Sequence, residues 1–448
     1  MIFKRELESA LDKWSQSKNR KPLVLRGARQ VGKTTLVKSF SKSFDRFIFL
    51  NLELIEHRRI FESNYSFNEL VDAIFFLTNN IRDKKKTLIF VDEIQNSPNA
   101  VASLRYFYEE RPELFVIAAG SLLESLIDKT ISFPVGRVEF LAVRPCSFME
   151  YLNAIDDKLS VDLLRHEKIP EYAHDKLISH FNRYALIGGM PEIINVYSET
   201  NDLVALNKIY TNLLVSYRDD VEKYARNASM TNHIRHVINI GMSYAGQRIK
   251  FERFGSSNYR SREMGEAFRT LEKAMLLELT YPTTTAVLPI IPDFKKSPRL
   301  SWIDTGLVNF AAGVQKDMFG SKDISNVWRG VIAEHIVGQE LLAMESSVLA
   351  KNAFWVREAK NSNAEIDFIY QFNNQIVPIE VKSGAGSRLK SLHLFMDTVS
   401  HNIAIRIWSS PYSIDLIKSI SGKEVKLINI PFYLIHKLPA ILQRNINE

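Results

Sequence analysis

Short apolar runs alternate with helical stretches from residue 22 to about residue 125. A run without polar alternation is typical of a strand that is buried on both faces of a parallel sheet. Because helices connect parallel strands and cover their faces, the alternation predicts an α/β domain with a parallel sheet. The predicted strands are Leu23–Arg26, Phe47–Leu52, Leu88–Val91 and Leu114–Ala119.

Long patterns of helical period replace the short runs between about residue 145 and residue 245. They are clearest over Tyr172–Ile187 and Leu203–Tyr224. The segment Gly188-Gly189-Met190-Pro191 interrupts them, because two glycines and a proline cannot continue a helix. The pattern predicts a predominantly helical middle domain.

Two further helices, His233–Tyr244 and Ser261–Leu277, are predicted on either side of the bridging segment Gln247–Phe254. Helix, turn and basic-headed helix fit a winged helix-turn-helix whose second helix enters a DNA major groove. A solvated basic face on a small packing domain fits these residues equally well, and a winged helix can also bind protein. The residues that we predict to contact DNA are Arg248, Lys250, Arg253, Arg260 and Arg262.

The last part of the chain returns to mixed helix and strand patterns. The pair Asn373-Asn374 predicts a tight turn that joins two strands into a hairpin. The predicted elements are the helix Trp328–Met344, the strands Phe354–Val356, Ile366–Phe372 and Ile376–Val381, and the helix Leu389–Val399. A further α/β domain is expected here.

The composition is that of an ordinary globular protein, with 46% apolar and 24% charged residues. A chain of 448 residues exceeds one hydrophobic core and predicts two to four domains. It contains no run of 18 or more apolar residues, so no membrane-spanning segment is expected. The single cysteine, Cys146, excludes an internal disulfide framework and a cysteine-rich zinc site. With no signal peptide at the N-terminus, we expect a cytoplasmic location.

The segment after the first predicted strand matches the phosphate-binding pattern G-x-x-x-x-G-K-[ST] at every fixed position. Its two glycines allow backbone angles that turn successive N–H groups toward a phosphate. Lys33 is placed to reach the β- and γ-phosphates and Thr34 to offer its hydroxyl to Mg²⁺, while the following helix N-terminus adds partial positive charge. The predicted binding residues for ATP are Gly27, Ala28, Arg29, Gln30, Val31, Gly32, Lys33, Thr34 and Thr35.

Two carboxylates, Asp92 and Glu93, end the strand that begins at residue 88. Asp92 is placed to hold Mg²⁺ through water, and Glu93 to orient and deprotonate the attacking water. Paired acids can merely end a strand at the surface, but the neighbouring phosphate loop favours the catalytic interpretation. We therefore predict that both acids belong to the nucleotide site.

Three further residues are candidates for contacting the nucleotide. Ser121 follows the run Leu114–Ala119 and Gly120, and either senses the γ-phosphate or serves as a turn residue. A phosphoryl-transfer site commonly adds an arginine from its own chain or from a neighbouring subunit. Arg137, which follows Gly136, and Arg144 are the candidates.

A second group of charged residues lies on the predicted C-terminal hairpin. Glu380 and Lys382 are two apart on one strand and share a face, and the turn brings Asp367 beside them. A metal-dependent phosphodiesterase requires such a set: Asp367 and Glu380 would hold one or two Mg²⁺ ions, and Lys382 would orient water or stabilise developing charge. Glu334, from the preceding helix, is placed to reach the metal from the side.

The same spacing is common for surface ion pairs, which would carry no chemistry. Two features favour a catalytic site over a surface ion pair. Apolar neighbours such as Ile366 and Val381 place the charges at the edge of a core, and the glycine-containing segment after Lys382 leaves an open mouth above the strand.

With these motifs in place, the chain resembles bacterial and archaeal ATPases that join an AAA-type P-loop domain to a domain called DUF4143. The resemblance covers nearly the whole chain. It rests on the segments Leu25–Leu36, Val91–Gln95, Arg144–Tyr151, Gly188–Glu192, Trp302–Leu307, Ala364–Phe368 and Ile379–Lys382. Cys146 departs from the pattern, which more often has a small or aliphatic residue there.

The resemblance implies four domains and an oligomer. It implies an ATPase domain over residues 1–150, a helical lid over 151–230, a winged helix over 231–300, and a PD-(D/E)XK nuclease-like domain over 301–448. In that nuclease fold Glu334 corresponds to the helix acid, Asp367 to the strand acid, and Glu380 with Lys382 to the E-x-K motif. AAA-type sites usually lie between subunits, so a homo-oligomer is expected.

Two functions remain open at this stage. The first is an ATP-hydrolysing enzyme that binds DNA, including branched or junction DNA, and cleaves it with Mg²⁺. The second is a nucleotide-controlled switch or scaffold whose nuclease-like domain binds a protein or nucleic acid without cutting. The intact acidic set favours the first function. The net charge of +7, with a pI near 9.1, indicates a polyanionic partner only weakly, and this weak basicity slightly favours the second function.

Overall fold

The apolar runs near the N-terminus form a parallel sheet in the computed structural model of the chain, which describes residues 3–120, 134, 136–166, 168–221, 225–314, 330–358, 364–382 and 389–446. The strands are β1 (Leu23–Arg26), β2 (Arg46–Asn51), β3 (Thr87–Asp92), β4 (Phe115–Gly120) and β5 (Glu139–Ala142). They lie in the order β2-β3-β4-β1-β5, and all neighbouring pairs are parallel. The predicted parallel α/β architecture is confirmed.

Helices accompany this sheet, as parallel connections require. They are α1 (Glu8–Gln16), α2 (Lys33–Phe40), α3 (Ile55–Glu62), α4 (Phe67–Leu77) and α5 (Pro98–Glu110). Every residue of β3 is buried, because its two neighbours and the covering helices leave no face open. The sequence pattern did not reveal β5, since this edge strand has four residues and keeps three of them partly exposed or exposed.

The described residues form two compact units. The first contains residues 1–144 with 273–275 and 345–350, and the second contains the rest. None of the described helices is long and apolar enough to cross a membrane. The division into four domains stays a prediction.

The second unit begins with the predicted helical region. Its helices are α6 (Phe148–Ala154), α7 (Lys158–Arg165), α8 (His174–Ile187), α9 (Pro191–Thr200), α10 (Leu206–Asp219) and α11 (Ala228–Gly241). Ser147 and Glu150 form a reciprocal capping box at the start of α6, which gives the serine and glutamate of the Arg144–Tyr151 motif a structural role. The prediction of a helical middle is confirmed.

The break between α8 and α9 falls at Gly188 and Gly189, where it was predicted. Gly188 has φ of 75°, and an added Cβ would clash with the Asp304 carboxylate, so a larger residue does not fit. Asp304 caps the helix α13 (Thr305–Ala311) by accepting the Leu307 N–H at 3.0 Å, and it also accepts the Gly189 N–H. Two motifs of the sequence therefore meet at one buried carboxylate.

The chain then forms α12 (Ser261–Lys273), which carries a buried face of Met264, Ala267, Phe268 and Leu271. Two strands follow, β6 (Leu277–Thr280) and β8 (Arg299–Trp302), and pair antiparallel. Between them β7 (Pro282–Thr283) joins a separate sheet of order β10-β9-β7, with β9 at Phe354–Val356 and β10 at Glu365–Ile366.

The C-terminal sheet has the order β11-β12-β13-β15-β14. Its strands are β11 (Phe368–Phe372), β12 (Gln375–Lys382), β13 (Ile403–Trp408), β14 (Ser413–Lys418) and β15 (Glu424–Pro431). The inner pairs β12–β13 and β13–β15 are parallel, whereas the outer pairs are antiparallel. Three helices belong to this region: α14 (Val331–Ala343), α15 (Lys390–Met396) and α16 (Leu438–Ile446).

The predicted hairpin is present, with a correction at its first strand. Asn373 and Asn374 both have positive φ, as a two-residue hairpin turn requires, and Phe372 lies opposite Gln375. The predicted strand Ile366–Phe372 is interrupted at Asp367, which lies between β10 and β11. Asp367 therefore lies between strands of two different sheets, and the alternation of faces along a single strand does not fix the direction of its side chain.

Candidate functional site

The phosphate-binding loop connects β1 to α2 at the carboxyl edge of the parallel sheet. Gly32 has φ of 92°, a left-handed angle that a glycine adopts without strain. A Cβ on Gly27 would clash with the carbonyl oxygen of Val143, so the loop backbone packs too closely there for any side chain. Both fixed glycines of the motif are therefore required by geometry, and the N-terminus of α2, which favours an anion, begins directly after the second of them.

Lys33 is buried within the loop and donates from Nζ to the carbonyl oxygens of Gly27 at 2.9 Å and Ala28 at 2.7 Å. Burial lowers the pKa of Lys33 to about 8, against the opposing attraction of Glu93 and Asp92. The Lys33 ammonium group is thus hydrogen-bonded to carbonyl oxygens of the phosphate-binding loop. A phosphate there would offer it stronger acceptors.

Thr34 and Asp92 meet although they lie 58 positions apart. Thr34 Oγ1 donates to Asp92 Oδ2 at 2.6 Å, and Asp92 Oδ1 accepts the Glu93 N–H at 3.1 Å. Burial raises the pKa of Asp92. A hydroxyl and a carboxylate in contact beside a phosphate loop are the oxygen donors that Mg²⁺ prefers, and these two residues are the ones that would hold it.

Glu93 follows β3 in the left-handed region, with φ of 53°. Its carboxylate accepts a short hydrogen bond from Gln95 Nε2, whose Oε1 is buried and has no partner among the described residues. Gln95 lies in the motif Val91–Gln95, but sequence reasoning gave it no role. The strained backbone at Glu93 is consistent with a functional position rather than a simple strand end.

Arg5 is a residue of this unit that sequence reasoning missed. Its guanidinium donates to the loop carbonyl of Val31 at 3.0 Å and to the carbonyl of Arg144 at 2.8 Å, and the side chain is buried. It therefore ties the phosphate loop to the segment that leaves β5. No pattern signalled this, because an arginine near a chain terminus is usually a solvated residue.

The two arginine candidates lie at opposite edges of the sheet. Arg144 follows the carboxyl end of β5, on the same edge as the phosphate loop, and donates to the carbonyl oxygen of Ser347 at 3.3 Å. Arg137 precedes β5 and donates from Nε to Glu109 at 2.8 Å. Since β5 begins beside Leu23, at the far end of β1, Arg137 lies away from the phosphate loop of its own chain. Ser121 lies outside the described residues.

The acidic set of the second unit converges at the end of the hairpin. Glu334 lies in the first turn of α14, Asp367 at the joint between β10 and β11, and Glu380 and Lys382 at the end of β12. Asp367 Oδ2 accepts the Val381 N–H at 2.7 Å, and Lys382 Nζ lies 2.7 Å from Glu380 Oε1. The four predicted residues are thus brought together.

Glu380 is buried, and Glu334 and Asp367 are half-buried near it, which disfavours their charged forms. Burial, followed by the charge of Asp367, raises the pKa of Glu334 to about 8. The same two causes raise the pKa of Glu380 to about 7, and burial raises the pKa of Asp367. Carboxylates crowded in this way gain from a bound cation, because it relieves both the mutual repulsion and the lost hydration.

One carboxylate oxygen in this cluster has no partner. Glu380 is 5% exposed, and its Oε2 is buried without a hydrogen bond. Within the described ranges no three His, Cys, Asp or Glu side chains are arranged as a ready metal site. The residues fit a divalent cation through Glu380 and Asp367, whereas Glu334 is engaged elsewhere.

Glu334 pairs with Arg299. Neither Arg299 nor Glu365, which Arg299 also contacts, was predicted from the sequence. Arg299 NH1 lies 3.6 Å from Glu334 Oε2 and donates to the Asp367 carbonyl oxygen at 2.7 Å, while NH2 contacts Glu365. The guanidinium lies over the ring of Phe354, 4.4 Å from its centroid. The available signal was an arginine at the start of β8, a short strand that also carries the apolar Leu300 and Trp302, where a solvated charge is not expected.

Arg248, whose side chain is exposed, also contacts the acidic cluster. Its NH1 lies 3.6 Å from Glu365 Oε2, and its Nε donates to the Ser297 carbonyl at 3.2 Å. The other predicted DNA contacts have exposed side chains, and they are Lys250, Arg253, Arg260 and Arg262. Arg262 lies in the first turn of α12, whose opposite face is buried.

Comparisons with known protein families match three parts of the chain. An AAA domain matches residues 19–152, a domain of unknown function (DUF8612) matches residues 178–318, and a second (DUF4143) matches residues 329–421. The acidic residues Glu334, Asp367 and Glu380 fall in the DUF4143 match, and Arg299 falls in the DUF8612 match. No curated protein matches the chain.

Three of the solved structures that match the chain are the following. The Walker-type ATPase PABY2304 of Pyrococcus abyssi is 15% identical, with a TM-score of 0.44 over 69% of this chain and 96% of that one. The Holliday junction branch migration motor RuvB of Thermotoga maritima is 17% identical, with a TM-score of 0.28 over 62% and 90%. The ORC1 protein of Aeropyrum pernix, solved in complex with DNA, is 14% identical, with a TM-score of 0.26 over 68% and 90%.

The family matches and the contact between Thr34 and Asp92 beside the phosphate loop lead to one conclusion. The chain joins an AAA-type P-loop ATPase domain to a DUF4143 domain.

Proposed function

We propose that the chain is an ATP-hydrolysing enzyme that binds DNA and cleaves it with Mg²⁺. The observation that carries the cleavage proposal is the buried, unpartnered Oε2 of Glu380, held among Asp367, Glu334 and Lys382. A buried carboxylate oxygen without a donor costs free energy unless a cation or donor arrives with the substrate. Branched or junction DNA is the substrate form suggested by the nuclease-like resemblance alone.

In the first unit the chain's own residues would position the nucleotide. Loop N–H groups and the ammonium of Lys33 bind the β- and γ-phosphates, and Thr34 with Asp92 holds Mg²⁺, which neutralises charge on the phosphates. Glu93 accepts a proton from the attacking water, and Gln95 holds the Glu93 carboxylate in place. An arginine of a neighbouring subunit completes the site in a homo-oligomer.

In the second unit Asp367 and Glu380 would hold Mg²⁺, which supplies Lewis-acid activation of the phosphodiester. The Val381 N–H fixes the Asp367 carboxylate, and Lys382 orients the attacking water or stabilises the charge that develops on the phosphate. Glu334 lies near enough to be affected by the Asp367 charge and shapes the side of the site.

The DNA-binding part of the proposal rests on the exposed basic residues around α12. The helices α11 and α12 and the antiparallel pair β6–β8 together support a winged helix within residues 231–300. Lys250, Arg253, Arg260 and Arg262 are exposed there and are suited to phosphate contacts. The nuclease-like domain would then span residues 301–448, and the helical lid residues 151–230.

A second candidate function is a nucleotide-controlled switch that binds DNA or protein without cutting. Two observations favour it. Arg299 and Lys382 already hold carboxylates of the cluster, and no three metal ligands are arranged as a metal site within the described residues. In that case the cluster is a structural ion network, and its raised pKa values reflect burial and the mutual repulsion of the carboxylates without a catalytic role.

Incubation of the full chain with linear, single-stranded and four-way-junction DNA separates the two functions. Each substrate is tested with Mg²⁺ or Mn²⁺, with and without ATP, for wild type, Lys33→Ala and Glu380→Ala. A matched control is Glu424→Ala, an exposed glutamate at the start of β15. Metal-dependent cutting that is lost only in Glu380→Ala supports the enzyme, whereas binding without cutting by wild type supports the switch.

A further inference from the structure

Arg299 is the most completely engaged cation of the acidic cluster. It is 5% exposed, and its two terminal nitrogens contact Glu334, Glu365 and the backbone of Asp367. Aromatic rings flank it, with centroids 4.4 Å away for Phe354 and 5.8 Å away for Phe368. A planar guanidinium is pre-organised for several partners at once, and these contacts hold its charge in position.

The location of Arg299 divides the cluster into two sides. On one side Arg299 engages Glu334 and Glu365. On the other side Asp367 Oδ2 accepts the Val381 N–H, and Glu380 keeps one oxygen without a partner beside Lys382. Only the second side therefore presents a buried oxygen that still lacks a donor or a cation.

The formal charges lead to the same division. When all four carboxylates (Glu334, Glu365, Asp367 and Glu380) are ionised, they face the two cations Arg299 and Lys382, which leaves two negative charges. Arg248, half exposed beside Glu365, offsets part of this remainder. One divalent ion neutralises the cluster, whereas a second would leave an excess of buried positive charge, which is costly in a site of low dielectric.

Building on the proposed function, we propose that Arg299 is a positioning residue that restricts the cluster to a single divalent ion. Its guanidinium holds Glu334 and Glu365 and occupies the side of the cluster where a second ion would need them. Asp367 and Glu380 bind the one ion. Because Arg299 belongs to the segment that precedes the acidic residues by more than thirty positions, the ion count depends on a strand outside the DUF4143 match.

The number of bound Mn²⁺ ions per chain tests this directly, measured by isothermal titration calorimetry and by electron paramagnetic resonance of free Mn²⁺. The full chain is used without nucleotide and with Asp92→Asn in every sample, which removes the carboxylate of the other expected ion site. We expect one Mn²⁺ per chain, none after Asp367→Asn, and two after Arg299→Met. Arg299→Lys keeps the charge and is expected to keep the count at one.

Arg248→Met serves as the matched control, because Arg248 is a cation that also contacts Glu365 but is more exposed than Arg299. We expect this variant to bind one Mn²⁺ per chain. Two ions in the protein with Arg299 intact overturn the proposal, as does a count of one in a folded Arg299→Met variant. If Arg299→Met does not fold, the proposal is still overturned by a count of two Mn²⁺ ions per chain, either with Arg299 intact or with Arg299→Lys. If no Mn²⁺ binds when Arg299, Asp367 and Glu380 are intact, metal-dependent cleavage itself fails, which is a different result from a wrong ion count.

Discussion

Lys382 Nζ lies 2.7 Å from Glu380 Oε1, while the other oxygen of the same carboxylate is buried without a partner. A plain surface ion pair would leave that second oxygen to water. Here burial removes the water, so the pair is satisfied on one side only. This asymmetry distinguishes the cluster from the surface pair that the sequence also allowed, and it gives the C-terminal unit a place for a cation.

Lys33→Ala is predicted to abolish nucleotide binding, whereas Glu93→Gln preserves binding and loses turnover. Lys33 contacts phosphates in the ground state, but Glu93 acts mainly when water attacks. Titration with a fluorescent ATP analogue and a steady-state ATPase assay separate the two effects. Lys42→Ala, an exposed lysine just after α2, is the control and is expected to behave as wild type. Unimpaired ATPase activity in Glu93→Gln would show that another group is the base.

Arg137 is predicted to act on the nucleotide site of a neighbouring subunit, because its own phosphate loop lies at the other edge of the sheet. ATPase activity per subunit is therefore expected to fall on dilution and to fall with Arg137→Ala. Arg105→Ala is a matched control, since Arg105 pairs with the same Glu109 at 3.0 Å. A protein that stays monomeric with ATP, and whose specific activity is independent of concentration, would contradict the prediction.

Asp304→Ala is predicted to lower the free energy of unfolding by about 3 kcal/mol. The carboxylate is fully buried and accepts the N–H groups of Leu307 and Gly189, which would both lose their acceptor. Asp202→Ala is the control, because Asp202 also accepts a backbone N–H, from Val204, but at an exposed turn. Urea denaturation measures both, and equal small losses would mean that the Gly188–Gly189 segment is not held by Asp304.

Much of the fold could be predicted from the local pattern of apolar and turn residues. The contacts that could not be predicted depend on residues that are distant in sequence. The strand Leu88–Val91 and the turn Asn373-Asn374 are set by short-range apolar and backbone preferences, and both are present. Arg299 and Arg5 could not be found in this way, because each acts on a carbonyl or carboxylate distant in sequence. Only tertiary packing identifies a buried arginine as a partner rather than as a surface residue.

The stability of the metal-free protein is predicted to fall as pH rises from about 4 to about 8. The pKa of Glu380 is about 7 and that of Glu334 about 8 in the folded chain, both above the unfolded value of about 4.3. Between these pKa values the folded state binds more protons than the unfolded state. The stabilisation from the two protonated carboxyl groups is therefore fully present below about pH 4, and it is lost as the pH rises through the folded-state pKa values. Glu380→Gln should reduce this loss by about 3 kcal/mol.

Urea denaturation in EDTA at pH 5 and pH 8.5 measures that difference. Glu424→Gln, an exposed glutamate on the same sheet, is expected to keep the wild-type dependence on pH. An identical pH dependence in Glu380→Gln and wild type would mean that Glu380 is ionised normally in the folded chain.

DNA affinity and DNA cleavage are predicted to separate by mutation. Alanine at both Lys250 and Arg253 should weaken binding and reduce the slope of log affinity against log salt by about two, since each lost phosphate contact lowers it by about one. Arg248→Ala should change the slope less, because Arg248 pairs with Glu365. Fluorescence anisotropy across a salt series measures these slopes. Slopes unchanged by the double variant would remove this surface from the DNA interface.

The central claim is tested most directly by one assay: cleavage of a labelled four-way junction by wild type and Glu380→Gln in Mn²⁺, with affinity measured on the same samples. The account predicts that wild type cuts, and that Glu380→Gln binds the junction at least as tightly but does not cut it, because one negative charge near phosphate is gone and the ion is lost. Binding without cutting by wild type in Mn²⁺ would contradict the cleavage proposal and favour the nucleotide-controlled switch.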